Sequence, residues 1–437
     1  MVSTQRISLA LGLILGACKP GTDVEDSSFE VSFDGDLLMA TEIVGGSLLF
    51  ADYQSGDFLG ARCLSSLVPE ECNGEPGFSC MLFEVAFDVA DGPGVRLNYT
   101  HRNPEVNGQP SSLIRTGLGQ NSPLDFRIDR ISFEPHMPDA YDGICLEENV
   151  DDVRCLLNMA HASDASPDGS LLVFTDTRSG RIVIGEPDYD SGVLEVRAVL
   201  DDSHADWGDM AWVNHVELFE ENGHLYMLNS FKGGGAVAET QRNAGQIVLW
   251  DLTDLQSIQK VWAYPSEGYL AAPHKATRLT VGDQKVLLYA HSLGHADSFD
   301  GSPSGTMGLA TFSTSAPPSY LGDWLLNSDD GHIGFLRDAE LLSDGETLLM
   351  TDSGCESRNE DCHEPGVIST ARFPSLPDSP GLVGNFSNNH LEQVFHELEL
   401  LRWDILPEVQ FPYEADVVSR ERLGPFISAD QFEPCSP

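Results

Sequence analysis

A pattern of short strands and tight turns recurs along this chain, and it constrains the fold more than any other feature of the sequence. In the clearest copy an alternating strand, His215–Phe219, is followed by the turn residues Asn222-Gly223 and an apolar return strand. Asn-Gly is favoured between two antiparallel strands because both residues tolerate positive φ. Two further apolar and aromatic segments, Ile247–Trp250 and Val261–Tyr264, complete a unit of four strands.

The same unit recurs upstream and downstream of this copy. A polar residue opens the first strand each time, at His161, His215, His274 and Asp338, at intervals of 54, 59 and 64 residues. Such a repeat predicts an all-β fold, a single β-propeller, with six blades expected and seven as the alternative. A β-sandwich or two unrelated β domains is less favoured, because neither requires turns at the same offset in every copy.

The first residues of the chain have the pattern of an export signal. Arg6 precedes an apolar run that is too short to span a bilayer. The run ends in Leu15-Gly16-Ala17-Cys18, which resembles the lipobox of bacterial lipoproteins. The resemblance implies a signal peptide at 1–17, lipid attachment at Cys18 and a place in the bacterial cell envelope. Lys19 is not acidic, which favours the outer membrane, facing periplasm or exterior, and an ordinary secretory signal is the alternative.

The remaining chain divides by composition. We expect an acidic tether at 18–30, the propeller at 31–405 and an irregular tail, packed on the propeller, at 406–437. We also expect a polar insertion at Gln109–Pro123 within the second repeat. The chain is interpreted as a monomer.

The net charge of −45 restricts the partners of the protein. It argues against binding to nucleic acid or to an anionic membrane surface, so membrane contact is expected only through the Cys18 lipid. A salty environment, simple solubility and a calcium-rich surface each remain as explanations of the charge. No loop has the ligand spacing of a calcium site, so no cofactor is predicted, although a metal ion such as calcium stays open.

The cysteine count is typical of an exported chain. Nine cysteines are present, and setting Cys18 aside for lipid leaves an even number. Pairing of neighbours in sequence predicts the disulfides Cys145–Cys155 and Cys355–Cys362. The partners of Cys63, Cys72, Cys80 and Cys435 cannot be assigned from sequence, and no CxxC pair suggests a structural metal.

The strand-opening histidines are the best candidates for chemistry. In a propeller the first strands of the repeats line a central channel, so these side chains should meet at one rim, together with the loops Phe231–Gly245, Leu293–Gly308 and Gly354–Gly366. Imidazole is a nucleophile, a base or a metal ligand, and cations stand nearby at Arg278 and Arg337. Together they could bind and attack an oxyanion such as a sulfate ester.

This pattern over Met159–Phe373 resembles the bacterial arylsulfotransferase-like propellers, which are exported enzymes that move sulfate between phenols through a sulfated histidine. The resemblance implies that His161, His215 and His274 are the site histidines and that Arg278 or Arg337 holds the sulfate. It does not say which histidine is the nucleophile. Asp338 stands where a further histidine is expected, which is a departure from the pattern.

Two other functions stay open. The protein could be a non-catalytic scaffold that binds a small molecule, peptide or glycan through the loop-rich rim. It could also be a metal-dependent hydrolase of the lactonase or phytase kind, with Glu217, Asp338 and Glu340 as contributors. A purely structural role competes with all three, because a polar residue that opens an inner strand often only bonds the neighbouring blade.

Overall fold

The structure of the protein is a computed structural model, and the account below concerns the residues that it describes. These residues are 35–42, 47–63, 81–88, 94–100, 112–119, 122–131, 160–176, 181–188, 193–201, 203–207, 210–234, 244–266, 270–271, 273–291, 306–325, 327–328, 331–332, 336–352, 366–376, 395–406 and 412–419. For some strand residues, including His161 and all residues between 81 and 131, the backbone alone is described.

The regular structure in these ranges consists of 28 strands, numbered here in chain order. The first fourteen are β1 Leu37–Glu42, β2 Ser47–Asp52, β3 Phe58–Cys63, β4 Met81–Asp88, β5 Gly94–Thr100, β6 Ser112–Gly119, β7 Ser122–Ile131, β8 Ala160–Ala165, β9 Leu172–Asp176, β10 Arg181–Asp188, β11 Val193–Leu200, β12 Met210–Glu221, β13 His224–Gly234 and β14 Ala244–Asp251. The others are β15 Gln259–Tyr264, β16 Leu270–Ala271, β17 Pro273–Val281, β18 Gln284–His291, β19 Thr306–Thr311, β20 Tyr320–Leu325, β21 Asn327–Ser328, β22 Gly331–His332, β23 Leu336–Leu341, β24 Thr347–Asp352, β25 Val367–Arg372, β26 Phe395–Glu397, β27 Leu400–Arg402 and β28 Pro412–Val418.

The strands form six sheets of four or five strands, besides the small β21-β22 pair, within the described ranges. In chain order the sheets are β28-β1-β2-β3, β4-β5-β6-β7, β8-β9-β10-β11, β12-β13-β14-β15 with β16, β17-β18-β19-β20-β26, and β23-β24-β25-β27. Neighbouring strands are antiparallel, except that β26 runs parallel to β20. Side chains are described in five of these sheets, and the second sheet is described by its backbone.

One strand from each sheet lies beside one strand of the next, so the sheets close into a ring. β28 contacts β4, β4 contacts β8, β8 contacts β12, β12 contacts β17, β17 contacts β23, and β23 returns to β28. Sheets arranged radially around a common axis define a β-propeller. The all-β propeller expected from the sequence is therefore confirmed. The six strands named here are called the inner strands.

The turns that join each inner strand to the next strand follow the sequence pattern. Asn222 and Gly223 between β12 and β13 have φ of 55° and 79°, the left-handed values that Asn-Gly accepts. In the third and sixth sheets an Asp side chain holds the turn. Asp168 accepts hydrogen bonds from the amide and hydroxyl of Ser170, and Asp344 accepts them from the amide and hydroxyl of Thr347.

The hydrophobic cores lie between neighbouring sheets. Between the third and fourth sheets Trp207 stacks on Trp250, and both rings are buried. Between the fourth and fifth sheets Phe219 and Trp262 meet Phe312 edge-on. Because these inter-sheet surfaces are apolar, we expect the polar side chains near the start of the inner strands to face the axis.

Two segments differ from the sequence prediction. The polar insertion expected at Gln109–Pro123 contains β6, a strand of the second sheet. The tail expected at 406–437 contains β28, which is the inner strand of the first sheet and pairs with β1. The chain therefore closes its ring by pairing its last described strand with its first, a long-range contact that no local pattern signals.

The closure of the ring by β28 predicts that an aspartate will lower the free energy of unfolding far more at one apolar position than at another. Ala415 of β28 is 2% exposed, whereas Leu401 of β27 is 39% exposed. Because Ala415→Asp places a charge without a partner between β1 and β24, we expect it to lower the free energy of unfolding by about 3 kcal/mol or more. Leu401→Asp should change it by no more than about 0.5 kcal/mol. Denaturant unfolding of both variants measures this, and equal losses would contradict the placement of β28.

Candidate functional site

A β-bulge near the start of the inner strands builds the candidate site. The pairing register shifts between Ala160 and Ala162 in β8, Val213 and His215 in β12, Pro273 and Ala276 in β17, and Leu336 and Asp338 in β23. The same shift occurs in β28, where Tyr413 and Glu414 together face Thr41. A bulge adds one residue to the strand and re-aims its side chain, and bulges are frequent beside functional sites.

Hydroxyl side chains on the neighbouring strands support this equivalence. The amide of Ala162, just past the bulge of β8, donates to Thr175 Oγ1 at 3.0 Å. The amide of Glu414 donates in the same way to Thr41 Oγ1 at 3.1 Å. At these two bulges the amide just past the bulge is thus bonded by a threonine of the second strand instead of by a ladder carbonyl.

The bulges correct the alignment of the predicted histidines. The equivalent bulge residues are Phe83, His161, Asn214, His274, Arg337 and Tyr413, the first two placed by their backbone. His215 and Asp338 lie one residue further along their strands. The departure noted at Asp338 is therefore a difference of register, because Arg337 occupies the equivalent position. His161 lies at the bulge of β8 by its backbone. His215 is buried, and its carbonyl accepts a hydrogen bond from Asn229.

Three bulge residues from successive sheets meet at one atom. Arg337 Nη1 lies 3.0 Å from His274 Nε2, and the Tyr413 hydroxyl lies 2.8 Å from the same nitrogen. The guanidinium carbon of Arg337 is 5.0 Å from the centre of the Tyr413 ring. We name these residues the His274 cluster, and their exposed fractions are 3% for His274, 6% for Arg337 and 3% for Tyr413.

The two contacts at His274 Nε2 determine whether this nitrogen carries a proton. Arg337 can only donate a hydrogen bond, so the Nε2 atom that it contacts must accept and carries no proton. The Tyr413 hydroxyl, which can donate or accept, must then donate as well. His274 is therefore held as a neutral ring with its lone pair at Nε2, inside the channel end.

A second group of charged residues, Lys275, Asp338 and Glu414, comes one position after the bulge residues in the sequence. Lys275 Nζ lies 2.9 Å from Asp338 Oδ2 and 3.7 Å from Glu414 Oε1, so it links the fifth, sixth and first sheets. Burial alone would lower the pKa of Lys275, but the carboxylates of Asp338, Glu414 and Glu340 raise it well above its usual range. Lys275 is consequently a permanent cation that neutralises the carboxylates next to the His274 cluster.

The other predicted arginine has a different partner. Arg278 Nε donates to Glu217 Oε1 at 2.9 Å, and its amide donates to Glu217 Oε2 at 3.0 Å. Its guanidinium lies 3.8 Å from the centre of the Phe219 ring. Arg337 is thus the predicted arginine that contacts a predicted histidine, and Arg278 joins the fourth sheet to the fifth.

Two partly buried glutamates of the inner strands have raised pKa values. Burial raises the pKa of Glu217 to about 7, although the Arg278 charge lowers it in part. Burial, followed by repulsion from Asp416, raises the pKa of Glu340 to about 8. Both carboxyl groups are therefore protonated over part of the physiological pH range. Protonation reduces the repulsion between neighbouring carboxylates of the inner strands.

The described residues offer no support for a metal centre. Within these ranges no group of three or more His, Cys, Asp or Glu side chains is placed to hold a metal ion. Of the residues expected to contribute ligands, Glu217 is bonded to Arg278 and Asp338 to Lys275.

The long loops expected at this rim leave their sheets beside the site. Gly234, His291 and Asp352, which precede or begin the loops, pair with Met210, Pro273 and Leu336 at the starts of the inner strands. The loop interiors lie outside the described residues, as do Cys18 with the signal peptide and tether, Cys145, Cys155, Cys355 and Cys362. In the ranges that are described, no helix is long and apolar enough to cross a membrane.

Sequence reasoning missed Tyr413, Glu414 and Lys275. The alternation of Pro412–Val418, PYEADVV, could have indicated a strand whose polar residues face one side. The Thr-Asp or Thr-Glu pairs at Thr41, Thr175 and Thr351 also mark the ends of the strands that accompany the bulges.

Comparisons with known proteins show no family for this chain. No family model matches the chain, and no curated protein matches it. Similar solved structures include the periplasmic gluconolactonase of Pseudomonas aeruginosa, 11% identical with a TM-score of 0.45 over 88% of this chain and 99% of that one. A protein provisionally named a 6-phosphogluconolactonase, from Bacteroides uniformis, is 13% identical with a TM-score of 0.44 over 88% and 100%. A hypothetical selenium-binding protein of Sulfolobus tokodaii is 10% identical with a TM-score of 0.47 over 92% and 96%. Likeness at this level says nothing about the ligand or reaction of this chain.

The shifted pKa of Glu340 predicts a pH dependence of stability. The ordinary pKa of 4.5 is raised to about 8 in the folded chain, so the folded protein binds more protons than the unfolded chain between these values. The contribution of Glu340 to stability is therefore present below pH 4.5 and is lost as the pH rises to about 8. Glu340→Gln should remove this loss and raise the free energy of unfolding at pH 8 by on the order of 2 kcal/mol.

Denaturant unfolding at pH 5 and pH 8 measures this effect. Glu220→Gln, at an exposed position of β12, is the matched control and should leave the difference between the two pH values unchanged. If Glu340→Gln retained the full difference of the parent, Glu340 would not be protonated in the folded protein.

Proposed function

We propose that this protein is an exported propeller that binds a small oxyanionic group at the His274 cluster, and that His274 transfers this group as a sulfuryl group between phenols. One observation carries the proposal: two donors, Arg337 and Tyr413, converge on His274 Nε2 and require it to be unprotonated. A neutral imidazole that carries its lone pair at Nε2 is the protonation state that a histidine nucleophile needs.

The donors that bind Nε2 are also suited to an oxyanion. Arg337 supplies a permanent charge and a planar pair of donors, and Tyr413 supplies a hydroxyl. In the cluster as it stands these donors occupy the lone pair of Nε2. A bound sulfate ester would take over both donors with its oxygens and leave Nε2 facing the sulfur.

The residue roles follow from these contacts. His274 is the proposed nucleophile, and Arg337 is the proposed anion-binding residue. His161 and His215 remain proposed members of the rim, by their resemblance to the site histidines of the arylsulfotransferase-like propellers. Arg278 is not assigned to the sulfate, since its Nε is already bonded to Glu217.

A non-catalytic binding scaffold is the second candidate, and the burial of the cluster favours it. His274, Arg337 and Tyr413 are each at most 6% exposed, so their contacts are also those of a polar joint between three sheets. In that case a small molecule, peptide or glycan would bind through the loops Phe231–Gly245 and Leu293–Gly308. Changes at the cluster would then alter stability and leave binding intact.

The proposed setting is the bacterial cell envelope. The lipobox-like residues before Cys18 support lipid anchoring, with the outer membrane preferred. The strongly negative charge supports a soluble, monomeric protein that touches the membrane through its lipid alone. The predicted disulfides Cys145–Cys155 and Cys355–Cys362 belong to the same proposal, because the envelope permits oxidation.

Sulfate transfer from 4-nitrophenyl sulfate to a second phenol tests the function. We expect the parent protein to turn over, and His274→Ala to lower the rate at least about 1,000-fold because the nucleophile is lost. Arg337→Gln should lower it about 100-fold or more, because Gln keeps a donor but loses the charge. His224→Gln, at the exposed start of β13, is the control and should have the parent's rate.

Mass spectrometry of the parent after mixing with donor alone should find one sulfuryl group on a peptide that contains His274. His161→Ala and His215→Ala, tested beside it, show whether another histidine is the nucleophile. A folded parent that neither turns over nor becomes labelled by a panel of donors would favour the binding scaffold. Metal analysis of the same sample would decide the metal-dependent hydrolase alternative.

A further inference from the structure

A transfer between phenols needs a group that gives and takes a proton, in addition to the nucleophile. The oxygen that leaves the donor carries an electron pair and needs a proton. The oxygen of the acceptor phenol must lose one. General acid–base catalysis by a positioned side chain contributes about 100- to 10,000-fold to such steps.

The two side chains bonded to His274 Nε2 differ in this ability. Arg337 keeps its proton at every accessible pH, so it can stabilise charge but cannot transfer a proton. The Tyr413 hydroxyl is 2.8 Å from Nε2 and can lose and regain its proton. The nearby Lys275 is bonded to Asp338 and lies beside Glu414, which commits its ammonium group to those carboxylates.

A permanent positive charge lies beside the Tyr413 ring. The Arg337 guanidinium lies 5.0 Å from the centre of the Tyr413 ring. A permanent positive charge at this distance stabilises a phenolate relative to a phenol. The pair can therefore hold the negative charge between the two halves of the reaction.

We propose that Tyr413 is the proton-transfer residue of the His274 cluster, acting as acid in the first half of the transfer and as base in the second. The inference rests on the proposed function. In the first half the lone pair of His274 Nε2 forms a bond to sulfur, and the bond from sulfur to the aryl oxygen breaks. The electron pair stays on that oxygen, which takes the proton of the Tyr413 hydroxyl.

The second half reverses these changes with a different phenol. The Tyr413 phenolate accepts the proton of the acceptor hydroxyl, whose oxygen forms a bond to sulfur. The bond between sulfur and Nε2 breaks, and its electron pair returns to the imidazole. Tyr413 and His274 regain their starting states, so the cycle needs no further reactant.

The role also explains a topological feature of the site. Tyr413 comes from β28, the strand that closes the ring, whereas His274 and Arg337 come from the two sheets before it. The site can therefore transfer protons only after β28 has paired with β1.

The dependence on the leaving group tests Tyr413 specifically. 4-Nitrophenolate leaves without assistance, whereas 4-methylphenolate needs a proton. In the labelling step on His274, Tyr413→Phe should slow 4-methylphenyl sulfate about 100-fold or more and 4-nitrophenyl sulfate less than about 10-fold. His274→Ala is the control that should remove labelling with both donors. Equal slowing of both donors by Tyr413→Phe would mean that Tyr413 only positions His274, which overturns the inference.

A second variant keeps the test decisive if Tyr413→Phe folds poorly. Replacement of Tyr413 by 3,5-difluorotyrosine keeps the ring and hydroxyl but makes the hydroxyl more acidic. The limb of the pH–rate profile that reports Tyr413 should then move to lower pH, and an unmoved profile would overturn the inference. A folded parent without turnover or labelling removes the proposed function and the inference together, which is a distinct result.

Discussion

The pairing of β28 with β1 is the contact on which the ring and its site depend. Each sheet of a propeller touches its two neighbours, so a ring whose ends are not joined has one open seam. Here the residue pairs Leu37–Val418 through Glu42–Pro412 join the ends, and the buried side chains of Ala40 and Ala415 pack at that joint. The same strand carries Tyr413 to His274 and Glu414 to Lys275. Closure and site assembly are therefore one event.

The joints between the other sheets use polar contacts as well as apolar cores. Asp164 of the third sheet accepts a hydrogen bond from the amide of Leu218 in the fourth, at 2.6 Å. Glu217 of the fourth sheet accepts one from the amide of Arg278 in the fifth. These carboxylates occupy the same position in successive inner strands, so the repetition of acidic residues near the axis has a structural cause. A repeated acidic residue in a propeller sequence is thus weak evidence for a metal site.

The sequence predicted the fold through features that act locally, and it missed those that act over long distances. Asn222-Gly223 and Asp344 specify their turns within a few residues, and the strands on either side follow from them. His274 and Arg337 were found because polar residues are conspicuous at strand starts. The extra residue of each bulge is invisible in the pattern, which is why His215 and Asp338 were aligned one position away from the residues that meet. Tyr413 was missed because its strand pairs with residues more than 370 positions earlier.

The charge distribution gives the strongest reason to look for function at the His274 cluster. A channel that had to be stable and nothing more could be filled with apolar side chains, since a buried ion pair seldom adds stability over such a filling. This channel instead places Arg337 and Lys275 at one end of a chain whose net charge is −45. The overall field repels anions, so attraction at this end depends on those two cations at short range. Lys275 lies between Asp338 and Glu414, so its charge is directed at those carboxylates, whereas Arg337 contacts His274 and the ring of Tyr413. Under the proposed function, the sulfate ester would therefore be contacted by Arg337 together with its two neutral partners, His274 and Tyr413.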